Sequence, residues 1–389
     1  MYDCIVVGAG IIGACAAYDL VKKGKKILVI DQFPLPHSRG SSHGPIRTLS
    51  LTHRNPTFER MGLDSFSMWK HLEEESNTKL LRKTGTIYID KYPFSDIEAR
   101  EQSAIRNGLN YAMLSSSQVR QIFPGLIEIP EGQRGYYEKD TQTLKADKAM
   151  ACLHEQIKVH GGTFHDEEKV EAVIPGSTVT IRTNKGTYTS RSLILAPGSW
   201  ASQLLQPLGV NPPIRISRAT VCYWKEPTPG LTKDDPVILD RGVDRPKGLK
   251  EVFFGYAFPS DEYPGLRKIG VHYGTLTNPD VRDACPDDKE FLEILADYVK
   301  SRFPGSGERP SIMESCIYSD TPDDGIILDT IPHQSNIAFC CGLSGSGYRA
   351  SMMAGRLLTE LVFNETLSYD ITSFRLSRFP GTTSTSAKY

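Results

Sequence analysis

The chain has 389 residues, 39% of them hydrophobic, a length that suits two domains or one core with a large insertion. Lys and Arg number 45 against 46 Asp and Glu, a formal net charge of -1, so no global excess points to nucleic acid or an anionic membrane and charge selectivity must be local. The eight cysteines (Cys4, Cys15, Cys152, Cys222, Cys285, Cys316, Cys340 and Cys341) form no CxxC pair, which argues against a zinc site or a secreted disulfide framework and for reduced, mostly buried thiols.

Residues 1–3 lead straight into an apolar run at 4–7, without the basic region and cleavage site of a secretory signal. Gly8-Ala9-Gly10-Ile11-Ile12-Gly13 follows, then a helical stretch at 14–23 ended by Gly24, then a second apolar run at 27–30 ending at Asp31. Strand, glycine turn, helix, strand, acid, with the acid 18 positions after the third glycine, is the spacing of a Rossmann dinucleotide site. Gly8 permits the tight turn, Gly10 lets backbone approach a pyrophosphate, and Gly13 lets the helix pack on the sheet. The helix N-terminus offers free N–H groups and a positive dipole, and Asp31 can accept from both ribose hydroxyls. The motif alone does not separate FAD from NAD.

Farther along, 37–44 reads as a polar loop, 56–77 as a helix, and 148–159 as a helix ending at Gly161-Gly162. Residues 87–90, 178–182, 220–223 and 252–254 read as strands, and 193–196 as a short buried strand before Pro197-Gly198-Ser199-Trp200. The stretch 226–248, rich in Pro, Gly and Asp, reads as a surface excursion. Near the end, a strand at 335–341 enters Gly342, Gly345 and Gly347, and a helix follows at 350–363. Such a junction can supply N–H groups to the far half of an extended cofactor, although an ordinary loop fits the same residues. No run of about 18 apolar residues exists to span a membrane. No Ser-His-Asp triad, metal-ligand cluster or paired-carboxylate motif suggests hydrolysis or a metal site. The final Ala387-Lys388-Tyr389 is like the small-basic-apolar peroxisomal tripeptide with Tyr where Leu is usual, so peroxisome and cytoplasm both stay open.

Beyond these local signals, the chain resembles the sarcosine oxidase and L-pipecolate oxidase family of FAD-dependent amine oxidases. The resemblance is carried by 6–13, by His37-Ser-Arg-Gly-Ser-Ser-His43-Gly44, by Glu262-Tyr-Pro-Gly-Leu-Arg-Lys268 with His272, by Glu314-Ser-Cys316-Ile-Tyr318, by 342–349 and by Phe374-Arg-Leu-Ser-Arg-Phe-Pro380. It implies an α/β (α+β) fold: a glutathione-reductase-type FAD-binding Rossmann domain with a second, β-rich substrate domain. The expected division is 1–85, 146–215 and 325–389 for FAD, with 86–145 and 216–324 for substrate. It further implies a monomer acting on a small amino acid, with molecular oxygen as acceptor and no nucleic-acid or membrane partner.

Roles at matching positions follow from the same resemblance. Cys316 matches the cysteine bonded to the flavin 8α carbon; taken alone it reads rather as a buried structural cysteine, and the surrounding Tyr318-Ser319-Asp320-Thr321-Pro322-Asp323 reverses that reading. Lys268 matches the lysine that activates oxygen, and His272, Tyr256 and Tyr318 match site residues. Arg47 matches the first of an arginine pair near flavin and substrate, and Arg349 stands where the family has a carboxylate-binding lysine. Cofactor contacts are implied at Gly8, Gly10, Gly13, Asp31, Ser42, His43, Val170, Gly345 and Gly347. The sequence departs from the family at Ser50, the place of the second arginine, at Ser346, the place of a histidine, and at Arg349 itself. These departures leave amine oxidation in place and the substrate open: sarcosine, L-pipecolate, a bulkier secondary amino acid, an opine- or saccharopine-like amine, or a glycated amino acid. A flavin dehydrogenase or a silent flavoprotein would share the nucleotide motif.

Overall fold

The computed structural model describes residues 1–91, 96–226, 234–243, 253–272, 274–283 and 288–382. Of the expected surface excursion at 226–248, residues 234–243 are described and hold the mostly buried strand Val237–Asp240, paired on both sides, which corrects that expectation; 227–233, 244–248, Cys285 and the C-terminal tripeptide lie outside the described residues. An eight-stranded sheet is built on parallel strands in the order Gln334–Cys341, Thr187–Leu195, Tyr2–Val7, Ile27–Ile30 and Thr163–His165. All four residues of Ile27–Ile30 are buried, as a strand covered on both faces requires. Thr187–Leu195 is long enough to pair antiparallel with Val179–Thr183 in its first half and parallel with Gln334–Cys341 in its second.

One face of this sheet carries the helices Ile11–Lys22, Ala146–Val159 and Gly347–Val362, sealed by one large apolar cluster. The first and last of these helices cross at Gly355, where a Cβ would stand 2.6 Å from the Ala16 amide nitrogen. Only a residue without a side chain allows the two backbones so close. A second cluster, with Leu193, Leu195, Ile337 and Phe339, closes the other face.

A nine-stranded sheet runs Thr275–Leu276, Arg215–Lys225, Leu266–Val271, Gly255–Pro259, Val237–Asp240, Thr86–Asp90, Arg134–Glu138 and Tyr111–Ser115, with Ile312–Asp320 also on Arg215–Lys225. Residues directly opposite across an antiparallel pair point to the same side. Lys268 lies opposite Tyr223 and Phe258, Tyr256 opposite Gly270, Cys316 opposite Ala219 and Tyr318 opposite Ser217. One face therefore collects Tyr256, Phe258, Lys268, Cys316 and Tyr318. The alternate residues Cys222, Trp224, Ala257, Ile269 and Val271 build a core against the helix Lys289–Arg302.

Most expected elements extend beyond their sequence-based limits, as 220–223 does within the eleven-residue strand Arg215–Lys225. The expected strand at 252–254 is a correction. Val252 lies outside the described residues, Phe253 and Phe254 are not in a strand, and pairing begins at Gly255–Pro259, where the register with Leu266–Val271 starts. The helices Ile97–Asn107 and Lys289–Arg302 were not anticipated.

Candidate active site

A cavity of about 1480 Å³ runs from the N-terminal glycine turn to Arg349. It exceeds the roughly 300–1,000 Å³ of an ordinary small-molecule pocket and so has room for an extended cofactor and a substrate. At one end Gly8 has φ 99° and a Cβ there would lie 2.3 Å from the Ala196 carbonyl oxygen, while a Cβ on Gly13 would lie 1.8 Å from the Gly8 oxygen. These glycines are sterically obligatory. Gly10 precedes the helix Ile11–Lys22, and the Ser42 hydroxyl accepts the Ile11 N–H at 2.9 Å. Asp31 accepts from the Ala9 N–H at 2.8 Å and from the Phe33 N–H at 3.0 Å, one bond on each carboxylate oxygen. Each oxygen keeps a further lone pair for a hydroxyl. Val170 lines the same stretch, and His154, which sequence reasoning missed, donates from Nε2 to the Ala9 carbonyl at 2.9 Å. Burial pushes the His154 pKa down, so its ring is neutral.

The polar loop expected at 37–44 packs over the nine-stranded sheet. The Ser41 hydroxyl donates to the Ile317 carbonyl at 2.6 Å, and His43 Nδ1 donates to the Gly40 carbonyl at 2.6 Å. Arg47 donates to the Ile46, Ser41 and His43 carbonyls at 2.8, 3.1 and 2.6 Å. It lines the cavity as the family resemblance implies, yet it spends three hydrogen bonds shaping the loop. Facing it is Lys268. Burial, and secondarily the Arg47 charge, bring the Lys268 pKa down to about 8, against opposing effects of Cys316, Glu262 and Glu314.

Cys316 is the one described cysteine that is not buried. Burial drives the thiols of Cys15, Cys222 and Cys340 up to about 12 and leaves them inert. The Tyr318 and His272 ring centres lie 4.5 Å apart with their planes tilted by 55°, and His272 lies 5.8 Å from Phe254. Burial raises the Tyr256 and Tyr318 pKa values, so both phenols stay protonated and can donate. Gly345, at φ 76°, gives the His272 ring its space: a Cβ there would meet the imidazole at 2.6 Å. Two residues later Gly347 opens the last helix, with Ser346 as its N-cap and no side-chain cap bond.

That helix projects Arg349 inward. Its Nη2 donates to the Thr52 carbonyl at 2.8 Å, its guanidinium lies 5.5 Å from the Phe58 ring, and its buried Nε has no hydrogen-bond partner among the described residues. Gly62 supplies the room, since a Cβ there would stand 2.9 Å from Nε. Burial pushes the Arg349 pKa down to about 10, which leaves it charged at neutral pH.

Around Arg349 stand residues that sequence reasoning did not find. Arg100 Nη1 donates to the same Thr52 carbonyl at 2.9 Å, and its guanidinium lies 3.9 Å from the Tyr88 ring centre. Ser50 donates to Glu138, a fully buried carboxylate that also accepts from the Leu51 N–H and the Thr52 and Thr141 hydroxyls. Position 50, where the resemblance implies an arginine, carries a short hydroxyl inside that cage. His53 Nδ1 accepts the Asn55 N–H at 3.1 Å, and burial, then Arg349 and Arg100, bring its pKa to about 3. The neutral ring therefore carries its proton on Nε2. The one local signal for this group was the i,i+4 spacing of Asp96 and Arg100.

The profile of the FAD dependent oxidoreductase (DAO) family matches residues 3–361. The chain is 37% identical to the human peroxisomal sarcosine oxidase over 386 residues, 98% of this chain and 97% of that one. It is 30% identical to the monomeric sarcosine oxidase of Bacillus sp. (strain NS-129) over 387 residues, 97% of each. Among solved structures, the open form of NikD, an amino acid oxidase essential for nikkomycin biosynthesis, superposes with a TM-score of 0.82 at 19% identity, covering 96% of this chain and 97% of that one. That superposition speaks for the fold. With the glycine cradle, Asp31 and the full-length identities together, the chain belongs to the FAD-dependent oxidoreductase family, in its sarcosine oxidase group, and is an FAD-dependent oxidoreductase.

Proposed function

We propose that the chain oxidises the C–N bond of a secondary amino acid, releasing an imine and passing the electrons to molecular oxygen to give hydrogen peroxide. The observation that carries this reading is that Lys268, Cys316, Tyr256 and Tyr318 share one sheet face in the cavity that Arg349 enters from the last helix. The sarcosine oxidases among its relatives support the reaction class. Gly8, Gly10, Gly13, Asp31, Ser42 and Val170 would hold the nucleotide half of FAD, and His43, Cys316, Gly345 and Gly347 the flavin half. The bound flavin supplies the two-electron acceptor. Arg349 anchors the substrate carboxylate as a guanidinium fork, Tyr256, Tyr318 and His272 orient the amine, and Arg47 holds the loop across the face. Lys268 stabilises negative charge developing on oxygen. Cys316 would hold the flavin covalently, as a thioether at its 8α carbon, the two electrons of that bond formation passing to the flavin and on to oxygen; its being the one described cysteine that is not buried supports that role.

The same reading divides the chain into a discontinuous FAD domain (1–85, 146–215 and 325–389) and a substrate domain (86–145 and 216–324). The two large sheets support this division, since the eight-stranded one draws its strands from the first set and the nine-stranded one from the second, apart from Arg215. No described helix is long and apolar enough to cross a membrane. A monomer in the peroxisome or the cytoplasm fits this reading, the peroxisomal address being supported by its peroxisomal relatives; a fluorescent fusion with and without residues 387–389 tests the address. The function is tested by peroxide release and oxygen uptake across N-alkyl and cyclic amino acids, sarcosine and L-pipecolate included. Equimolar peroxide with at least one of them is expected. Dye reduction without oxygen uptake would make the protein a dehydrogenase. Acid denaturation should leave FAD on the wild-type polypeptide and release it from Cys316→Ser; release from both would remove the covalent assignment.

A further inference from the structure

Besides Arg47, the guanidiniums of Arg54, Arg100, Arg241 and Arg349 line the cavity, with the carboxylates of Asp90 and Asp96 among them. Arg349 and Arg100 both donate to the Thr52 carbonyl, at 2.8 and 2.9 Å. Arg100 in turn meets Asp96 at 3.1 Å, and Asp96 meets Arg241 at 3.9 Å. Guanidinium and oxygen thus alternate along the wall: Arg349, Thr52, Arg100, Asp96, Arg241. Arg54 lines the cavity beside them and, with Arg100 and Arg241, holds the Asp96 carboxyl below its usual range. Arg100 and Arg241 therefore flank one aspartate, and Arg54 lines the same cavity.

The outer pair is arranged to receive an anion. The Arg241 guanidinium lies 4.8 Å from the Phe254 ring centre, and its side chain is 38% exposed. A guanidinium resting on an aromatic ring keeps its N–H edge for a planar acceptor. Its contact with Asp96, at 3.9 Å, is too long for a direct hydrogen bond, so its donor edge is not consumed there. Arg54 is exposed at the same wall. Phe254 continues to His272 at 5.8 Å, and His272 to Tyr318 at 4.5 Å, so Arg241 stands on the wall that leads to the reacting face.

We propose that Arg54 and Arg241, backed by Arg100 and Asp96, form a second anion subsite, and that the substrate is a secondary amine bearing a second carboxylate besides the one at Arg349. This rests on the reading of Arg349 as the first carboxylate anchor. A substrate of that class spans the wall, with one carboxylate on the buried guanidinium and the other at the exposed pair. Asp96 separates the two cationic groups and keeps Arg100 from serving either.

The test uses the FAD-loaded enzyme and two ligands of equal chain length that cannot be oxidised as amines, glutarate and pentanoate. Binding is read from perturbation of the flavin spectrum and from the thermal shift. Glutarate should bind at least about tenfold more tightly, as one added charge-assisted bond allows. Arg241→Gln and Arg54→Gln should each erase that advantage while leaving pentanoate binding unchanged. Arg349→Gln should weaken both ligands. If pentanoate binds as well as glutarate, or if the Arg241 and Arg54 variants weaken the two ligands equally, the second subsite is overturned and the anchor at Arg349 stands. If neither ligand binds, the anchor at Arg349 falls and the subsite with it.

Discussion

Replacing Lys268 by Met should slow the reaction of the reduced enzyme with oxygen while sparing its reduction by substrate. The ammonium sits on the sheet face that also carries Cys316, and burial, reinforced by Arg47, brings its pKa to about 8. The charged form predominates below that value, about nine in ten molecules at pH 7, and falls to about one in ten at pH 9. If the charge is what stabilises electron transfer to oxygen, the wild-type oxygen reaction is fast at low pH and slows about tenfold as pH rises from 7 to 9. Met keeps the length and apolar stem and removes the charge. Loss of one preorganised electrostatic donor costs about a hundredfold or more in rate, and the variant should show that slow rate at every pH. The other charged groups near the ammonium are Arg47, Glu262 and Glu314, and they are present in both proteins. The assay is two-stage: anaerobic reduction by substrate, then rapid mixing with oxygenated buffer from pH 6 to about 10. A variant that reoxidises at the wild-type rate, or that keeps the step near pH 8, refutes the assignment.

Arg349→Ala should weaken substrate binding about tenfold to a hundredfold, the worth of a hydrogen bond to a charged group, with a smaller change in the maximal rate of flavin reduction; equal binding in a ligand titration would remove Arg349 as the anchor. Gly345→Ala should cost about 1–3 kcal/mol, because φ 76° is strained for alanine and its Cβ would press on His272 at 2.6 Å. Denaturant titration measures that cost, and a neutral result would mean that His272 moves freely. Burial of neutral His53 lowers its pKa from 6.5 to about 3, so the unfolded chain binds the extra proton first. Its contribution is present above pH 6.5 and is lost as pH falls toward 3. A His53→Asn protein should lose less melting temperature across that window than the wild type, and parallel curves would contradict this. Gly355→Val should cost about 1–3 kcal/mol by overpacking the crossing of the first and last helices, and should lower FAD retention together with carboxylate affinity; a loss of melting temperature alone would show that the crossing is merely structural.

The nucleotide end was legible because its signals are local. Gly8, Gly10, Gly13 and Asp31 fall within two strands and a helix, and each glycine proves sterically required or set against the cavity lining. The sheet face was legible by a different route. The i,i+2 spacing of 268, 270 and 272, and of 314, 316 and 318, is visible in the sequence, but nothing local says that the two strands flank the same partner. Their common neighbour is Arg215–Lys225, and only its pairing brings Cys316 and Lys268 to one surface. The cluster around Arg349 was not legible. Thr52 meets Arg100 across 48 residues and Arg349 across 297, and Glu138 reaches Ser50 across 88. Ser50 read alone was a lost cation; in the fold it is one hydroxyl of a cage around a buried carboxylate, with Arg100 delivered from a helix that carried no strong periodic signal.

The two ends of the cavity are mechanically one unit. The first helix begins at the glycine turn that faces the nucleotide, and the last begins at the glycine junction that carries Arg349 on its third residue. They cross at Gly355 with backbone contact too close for any side chain, and Cys15 donates its thiol to Met352 at 3.4 Å beside that crossing. Interiors packed this closely transmit displacement rather than absorb it. A shift of the last helix along the first would move Arg349 away from Thr52, and would also pull the junction at 342–347 away from His272, against which a Cβ on Gly345 would stand at only 2.6 Å. Arg349, the His272 ring and the N-terminal glycine turn are thus linked through a single helix crossing. That is why two glycine-rich turns more than 330 residues apart in the sequence serve one site.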